Sequence, residues 1–215
     1  MATTTYIPIF PLGIVAFPGE QVNLHIFEPR YRQMINECQD ENAFNFAVVA
    51  VFDGKLQGIG TELEIEEIVK RYEGGEMDIR TRGMRKVEVQ QFDKIAPGKK
   101  YPGGEVTFEE VTDYEGDPVA QQKLFDYFNR LHQALGTEKT FYQSADEFTS
   151  FDIGHQVGLS IEQEYELLQI NAETDRQEFL IQHLEQILPY VRQTKDLEER
   201  IKLNGHFRSI SSPEL

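Results

Sequence analysis

Residue types able to carry chemistry occur in this chain, but not at the spacings chemistry needs. Five histidines, His25, His132, His155, His183 and His206, are scattered along it, and no two have the i, i+4 spacing that turns a pair of imidazoles toward one metal. They read as packed or surface histidines. Cys38 is the single cysteine, so an intrachain disulfide and a multi-cysteine zinc site are excluded. A nucleophilic Cys38 would need a base beside it. Its position as the last apolar residue of a helical stripe reads as core instead. A phosphate-binding loop needs spaced glycines ending in Gly-Lys-Ser/Thr, whose amides and lysine cradle the phosphates. The nearest string, Pro97-Gly98-Lys99-Lys100, lacks the leading glycine and the hydroxyl. His-Glu-x-x-His and Gly-x-Ser-x-Gly are both missing from the sequence. Carboxylates are too numerous, at 37, for pairs of them to discriminate. The cluster Glu62, Glu64, Glu66 and Glu67 reads as a solvated strand face rather than a metal site. The expectation is a non-enzyme with no catalytic residue, no metal and no cofactor.

Charge bounds the partners. Against those 37 acids stand 21 Lys and Arg, for a net −16. Such a surface repels phosphate backbones, whose affinity for proteins comes from cations displacing counterions. The best basic string, Arg80-Thr81-Arg82-Gly83-Met84-Arg85-Lys86, lies in a strand-like stretch. Neither nucleic acid nor membrane is expected as a partner. The longest apolar run, Phe46 to Phe52, is far short of the roughly 18–20 residues of a membrane span. The first basic residue is Arg30, so the amino terminus does not read as a secretory signal. A cytoplasmic location is expected.

Two periodicities organise the chain. From Tyr6 to Val111 the apolar residues come in short β-branched runs separated by turns. Phe44 to Val51 reads as a buried strand, and Asp53-Gly54 as a tight hairpin. Leu63, Ile65 and, after a break in phase, Ile68 continue as a second strand. Gly74-Gly75 makes the next turn; Met77 to Arg80, Val87 and Val89, then Val106 and Phe108 alternate with period two. About six short strands in a compact, curved sheet are expected. One helix interrupts them, with Pro29 at its first position and Tyr31, Met34, Ile35 and Cys38 on one face. From Asp117 the period becomes helical. Asp117-Pro118 opens a helix that Gly136 closes, with Leu124, Phe128, Leu131 and Leu135 on one face. Ser144 to Glu147 and Ser160 to Gln163 are capping boxes. A last helix starts near Thr174, carries Pro189 inside its apolar pattern (a kink is expected there) and stops near Asn204-Gly205. The domains expected are 1–115, 116–205 and a tail at 206–215.

The most specific string is Ile7-Pro8-Ile9-Phe10-Pro11-Leu12-Gly13-Ile14-Val15-Ala16-Phe17-Pro18-Gly19-Glu20, followed by Leu24-His25-Ile26-Phe27-Glu28-Pro29-Arg30-Tyr31. It resembles the opening of the Lon-protease N-terminal, substrate-binding domain. Gly58 to Thr61, Arg82 to Arg85, Gly158 to Ser160 and Glu166 to Leu168 add weaker agreement, so the resemblance spans Tyr6 to about Val191. It implies an α+β protein: a PUA-like pseudo-barrel with one short helix, then a C-terminal α-helical bundle. The ATPase and peptidase parts of a full Lon protease are not matched, so peptidase activity is not carried over.

The motif residues Pro11, Leu12, Gly13, Pro18, Ile26, Phe27, Glu28, Pro29, Arg30 and Tyr31 read as scaffold. The prolines belong at strand ends, Phe17, Leu24, Ile26 and Phe27 supply core, and Glu28 can pair with Arg30. The resemblance implies a module that recognises unfolded or tagged polypeptide, in protein quality control and with the possible company of a protease complex. Docking of one specific protein partner is the alternative, followed by small-ligand binding or an unrecognised hydrolase. For peptide contact the candidates are Phe141, Tyr142, Phe148 and Phe151, since aromatics are common interface anchors. The competing reading puts Phe148 and Phe151 in the helical core.

Overall fold

Asp53 and Gly54 both hold positive φ, 51° and 69°, the backbone that a two-residue hairpin demands. They turn β3 (Phe46–Phe52) into β4 (Lys55–Arg71). The computed structural model describes residues 4–39, 44–137 and 142–207, with side chains as far as residue 191. The other strands are β1 (Thr5–Leu12), β2 (Gln21–Ile26), β5 (Met77–Asp93) and β6 (Gly103–Glu109). The expected six strands are present. Their order is β2-β5-β4-β3-β1-β6, and β6 pairs back onto β5. The sheet therefore closes on itself, with β2 added along the first half of β5. Only β1 and β3 run parallel, which requires the long crossover supplied by β2 and α1 (Pro29–Cys38). The register shifts between Ile65 and Glu67, where the alternation of Leu63, Ile65 and Ile68 changes phase. An extra residue at that bulge puts Ile68 back on the Ile65 side.

Contacts divide the chain into two units. The first contains residues Met1–Tyr114 and Phe151–Ala172; the second contains Glu115–Ser150 and Glu173–Leu215. All six strands fall in the first unit, and the segment Phe151–Ala172 groups with them and not with the helices around it. The cause lies in its apolar residues. The Phe151 ring stacks on Phe17 at 5.1 Å, and a Cβ at Gly154 would come within 2.6 Å of the Phe17 ring. Tyr165, on α4 (Ile161–Gln169), accepts the Ile59 N–H at 3.1 Å.

Both faces of β1 and β3 are buried, and alternation sends their residues into two cores. Ile7, Ile9, Ala47 and Val49 point to one side with Val87 and Val106. Phe10, Phe46 and Val48 point to the other, where they meet Ile26, Leu63, Met77 and Ile79. The apolar stripe of α1 fills this second core: Tyr31, Met34, Ile35 and Cys38 are all buried, and Tyr31 stacks on Phe10 at 3.9 Å. Alternation also corrects one expectation. Ile26 is the inward residue that ends β2, so Phe27 points outward and is 62% exposed rather than core.

In the second unit, Asp117 Oδ1 accepts the N–H groups of Val119 and Ala120 at 2.7 and 2.8 Å, opening α2 (Pro118–Leu135). Gly136 ends it in the left-handed conformation. Leu124, Phe128 and Leu131 are buried, whereas Leu135 lies past the packed stretch and is exposed. Ser144 does not cap a helix through its side chain. Glu147 instead accepts the Gln143 N–H and the Ser144 hydroxyl, holding a short 3-10 turn at Ala145–Glu147. A four-residue helix, α3 (Ser150–Ile153), follows. The second capping box, Ser160 with Gln163, is formed in full. The last helix, α5 (Glu173–Phe207), continues past Pro189 and past the expected stop, because Asn204 and Gly205 both adopt helical backbone. The expected tail therefore begins inside a helix, and residues 208–215 lie outside the described ones.

A buried polar network holds this unit. Arg176, with no exposed side-chain surface, donates from Nε to Glu173 Oε2 at 2.8 Å, and Glu173 Oε1 accepts the Ser150 N–H at 2.8 Å. Gln177 Oε1 accepts the Asp117 N–H, and its amide donates to Gln121 at 2.7 Å.

Candidate functional site

The basic string is the first candidate that the fold reassigns. β5 carries it against β4 and β6, and each charge meets a carboxylate across the sheet. Arg80 pairs with Glu67 at 2.6 Å, Arg82 with Glu66, Arg85 with Glu62 and Glu110 at 2.6 and 3.0 Å, and Lys86 with Glu109 at 3.3 Å. Burial alone would lower the Arg85 pKa, but the hydrogen bonds it donates to both carboxylates, with their charges, raise it. Three of the four acidic residues, Glu62, Glu66 and Glu67, thus form cross-strand pairs. Glu62, expected on a solvated face, is only 6% exposed because Arg85 covers it.

Histidine chemistry follows the same course. His155 lies between two carboxylates, with Nδ1 2.7 Å from Glu164 and Nε2 3.2 Å from Glu20. Burial alone would push its pKa down, but the hydrogen bonds and charges of Glu164 and Glu20 outweigh it and raise the imidazole to about 10. Such a group stays charged at neutral pH and does not shuttle protons; it ties the segment carrying α4 to the turn at Glu20. His25 faces Asp78 at 2.6 Å, and the Tyr72 hydroxyl donates to the other Asp78 oxygen at 2.7 Å. These two bonds hold the Asp78 carboxyl below its ordinary range. The Phe27 ring stacks on His25 at 6.1 Å, making an exposed aromatic cluster with Tyr72. Cys38 is buried, and burial with the charge of Glu37 pushes its thiol up to about 12, far from a reactive thiolate. No group of three His, Cys, Asp or Glu among the described residues is placed to hold a metal. No described helix is long and apolar enough to cross a membrane.

Of the aromatic residues expected at a peptide surface, Tyr142 and Phe148 meet in the second unit, while Phe151 packs in the first. Phe148 is 5% exposed and packs against Phe125, Phe128 and Tyr142 in the second unit. Phe151 is 3% exposed and belongs to the first unit, against Phe17. Both are core, so neither offers its ring to a partner. Tyr142 is half-buried, its ring 4.8 Å from that of Phe148; Phe141 lies outside the described residues.

The motif residues, in contrast, converge. Ile9 N–H donates to Pro102 O at 3.1 Å, and this is where the seam between β1 and β6 ends. Strand alternation puts the next donor on that edge at residue 11, where proline has none. The seam opens there into a groove of about 530 Å3. Pro11, Leu12 and Gly13 form one wall, Arg30 and Tyr31 at the start of α1 another. Leu56 and Phe92, half-buried outliers of the inner core, form the floor with Val51, and Lys94 stands at the rim. Arg30 Nε donates to Glu28 at 2.9 Å, the pairing expected from sequence, and its guanidinium lies 4.6 Å above the Tyr31 ring. Among the described residues, no carboxylate lines this groove. A smaller hollow of about 290 Å3 near Tyr6 and Tyr101 has Lys99 as the one cation in its described lining, and Glu37, outside that lining, pairs with it at 2.7 Å and accepts the Tyr101 hydroxyl at 2.6 Å. Sequence reasoning missed Lys94, Leu56 and Phe92 as groove residues, because nothing local marks three strand ends as neighbours.

Comparison with known proteins agrees with this architecture. The family model of the ATP-dependent protease La (LON) substrate-binding domain matches residues 6–190. Among solved structures, a Lon N-terminal domain protein from Xanthomonas campestris is 27% identical, with a TM-score of 0.63 over 82% of this chain and 97% of that one. The N-terminal domain of a Mycobacterium avium complex Lon protease shares the fold at 17% identity, with a TM-score of 0.61 over 84% of this chain and 98% of that one. No curated protein matches the chain. The sequence motif, the closed six-stranded sheet and the family match over residues 6–190 agree: the chain belongs to the family of Lon substrate-binding domains, a non-catalytic, substrate-binding type of module.

Proposed function

We propose that this protein binds polypeptide without cleaving it and selects clients for ATP-dependent proteolysis or a related quality-control route in the cytoplasm. The observation that carries the reading is the match to a substrate-binding domain over residues 6–190. The open apolar groove of the first unit supports it, since ligand sites of about 300–1,000 Å3 with apolar walls and few polar groups are the usual form. The test is capture of casein, an unfolded polypeptide, by the purified chain, with a folded protein of similar charge as control. Casein is retained, the folded control is not, and casein stays intact with or without ATP. Failure to retain casein removes the reading. Cleavage that survives thorough removal of contaminating proteases removes its non-catalytic part.

A second reading, docking of one folded partner, is favoured by the exposed ring cluster of His25, Phe27 and Tyr72. A single stoichiometric partner whose binding is lost in Phe27→Ala supports it; many partly unfolded clients support the first.

A further inference from the structure

We propose that the groove between Pro11 and Lys94 grips the C-terminal residue of a bound polypeptide. The apolar side chain rests on Leu12, Leu56 and Phe92, and the terminal carboxylate sits between Arg30 and Lys94. The inference rests on the reading of the chain as a polypeptide-binding module and names the part of the client that it holds. Charge complementarity carries the choice of occupant. In a chain of net charge −16, the described residues that line this groove include two cations and no carboxylate. Lys86, Lys99 and Lys123 all pair with glutamates, whereas Lys94 makes no ion pair among the described residues. Glu28 occupies Nε of Arg30 and leaves both terminal nitrogens for a second carboxylate. The cations flank an apolar floor, so the ligand must present a hydrophobic side chain and an anion on neighbouring atoms. In a polypeptide, one residue offers both on a single Cα: an apolar residue at the C-terminus.

The experiment measures fluorescence anisotropy of a labelled ten-residue peptide ending in Leu-Ala-Leu with a free carboxylate. Its C-terminal amide, the amide carrying an internal Asp, and hexanoate as competitor complete the set. The free acid is expected to bind about tenfold tighter than the amide, the value of one charge-assisted contact at an open site. Lys94→Gln, an exposed substitution, brings the acid down to the amide without altering the melting temperature. Equal binding of acid and amide overturns the proposal, and so does a preference that survives Lys94→Gln combined with Arg30→Gln. An internal-Asp amide that equals the acid, or hexanoate that displaces the peptide at matched concentration, overturns it as well. If casein is still captured in any of these cases, the C-terminal placement falls and the general polypeptide-binding reading stands. If casein is not captured, that reading falls on its own result.

Discussion

The His155 triad makes the fold of the first unit dependent on alkaline pH in a calculable way. The imidazole titrates at about 10 in the folded chain, against 6.5 as the ordinary value that the unfolded chain is taken to have. Linkage over that interval amounts to roughly 5 kcal/mol for a fully shielded group. The side chain is 34% exposed, so water screens its two partners and about 2 kcal/mol is the working figure. The folded pKa is raised, so the fold favours the protonated form. The contribution is complete below about pH 6.5 and drains away as pH climbs toward 10. Lysines and tyrosines titrate near the upper end of the same window, so the quantity to measure is a difference. Urea denaturation of the wild type and of His155→Gln is compared at pH 6, 8 and 10. The wild type leads by about 2 kcal/mol at pH 6 and by almost nothing at pH 10. Nuclear magnetic resonance of the imidazole gives the independent check, with His155 titrating well above its ordinary 6.5. A lead that stays constant from pH 6 to 10, or an imidazole that titrates near 6.5, refutes the claim that Glu20 and Glu164 outweigh desolvation.

Two other substitutions test the packing that positions these elements. Glu173→Ala removes the carboxylate from the buried Arg176 and the acceptor from the Ser150 N–H. It is expected to destabilise the second unit by about 3–5 kcal/mol, read by urea denaturation at pH 7. A loss below about 1 kcal/mol would mean that water reaches the pair. Gly83→Ala presses a methyl group into the Phe17 carbonyl, at the point where Gly19 N–H and Gly83 N–H each donate across to the facing segment at 2.9 and 2.8 Å. The expected loss is about 1–3 kcal/mol in melting experiments; an unchanged transition would mean that the turn at residues 17–20 yields freely.

Local signals were legible where a residue's role is decided by its near neighbours in the chain. Asp53-Gly54, Asp117-Pro118, Gly136 and Ser160 with Gln163 each work through backbone geometry within a few residues, and each acts as read. The stripe of α1 was legible for the same reason. Phe27 was misread because hydrophobicity was weighed without its phase; one step beyond Ile26, the pleat reverses direction. Ser144 was misread because a capping box presupposes a helix, and a three-residue turn has too few free N–H groups for one. Phe151–Ala172 grouped with the sheet through Phe17, residues distant in sequence whose pairing no periodicity encodes. The groove was hidden for the same reason. It joins the ends of β1, β3 and β5 to the starts of β4 and α1, and each contributing stretch looks like ordinary strand end or helix cap by itself.

Net charge, finally, is a poor guide to which cations of this chain are available, and the pairing of β5 with β4 and β6 explains why. Four cations of the Arg80 to Lys86 string would form a phosphate-attracting stripe if they stood alone. Paired with Glu67, Glu66 and Glu62 of β4 and Glu109 of β6, each already holds a carboxylate. A nucleic acid would have to displace those partners, losing about as much ion pairing as it gained. The register thus cancels the largest basic feature of the sequence while solvating the face of a long hairpin. Cations away from the ladder keep their capacity, and Arg30 and Lys94 stand beside apolar strand ends. The specificity proposed for that groove therefore rests on where the fold places these two cations, Lys94 without an ion pair among the described residues and Arg30 held by Glu28 through Nε alone, and not on how many cations the chain contains.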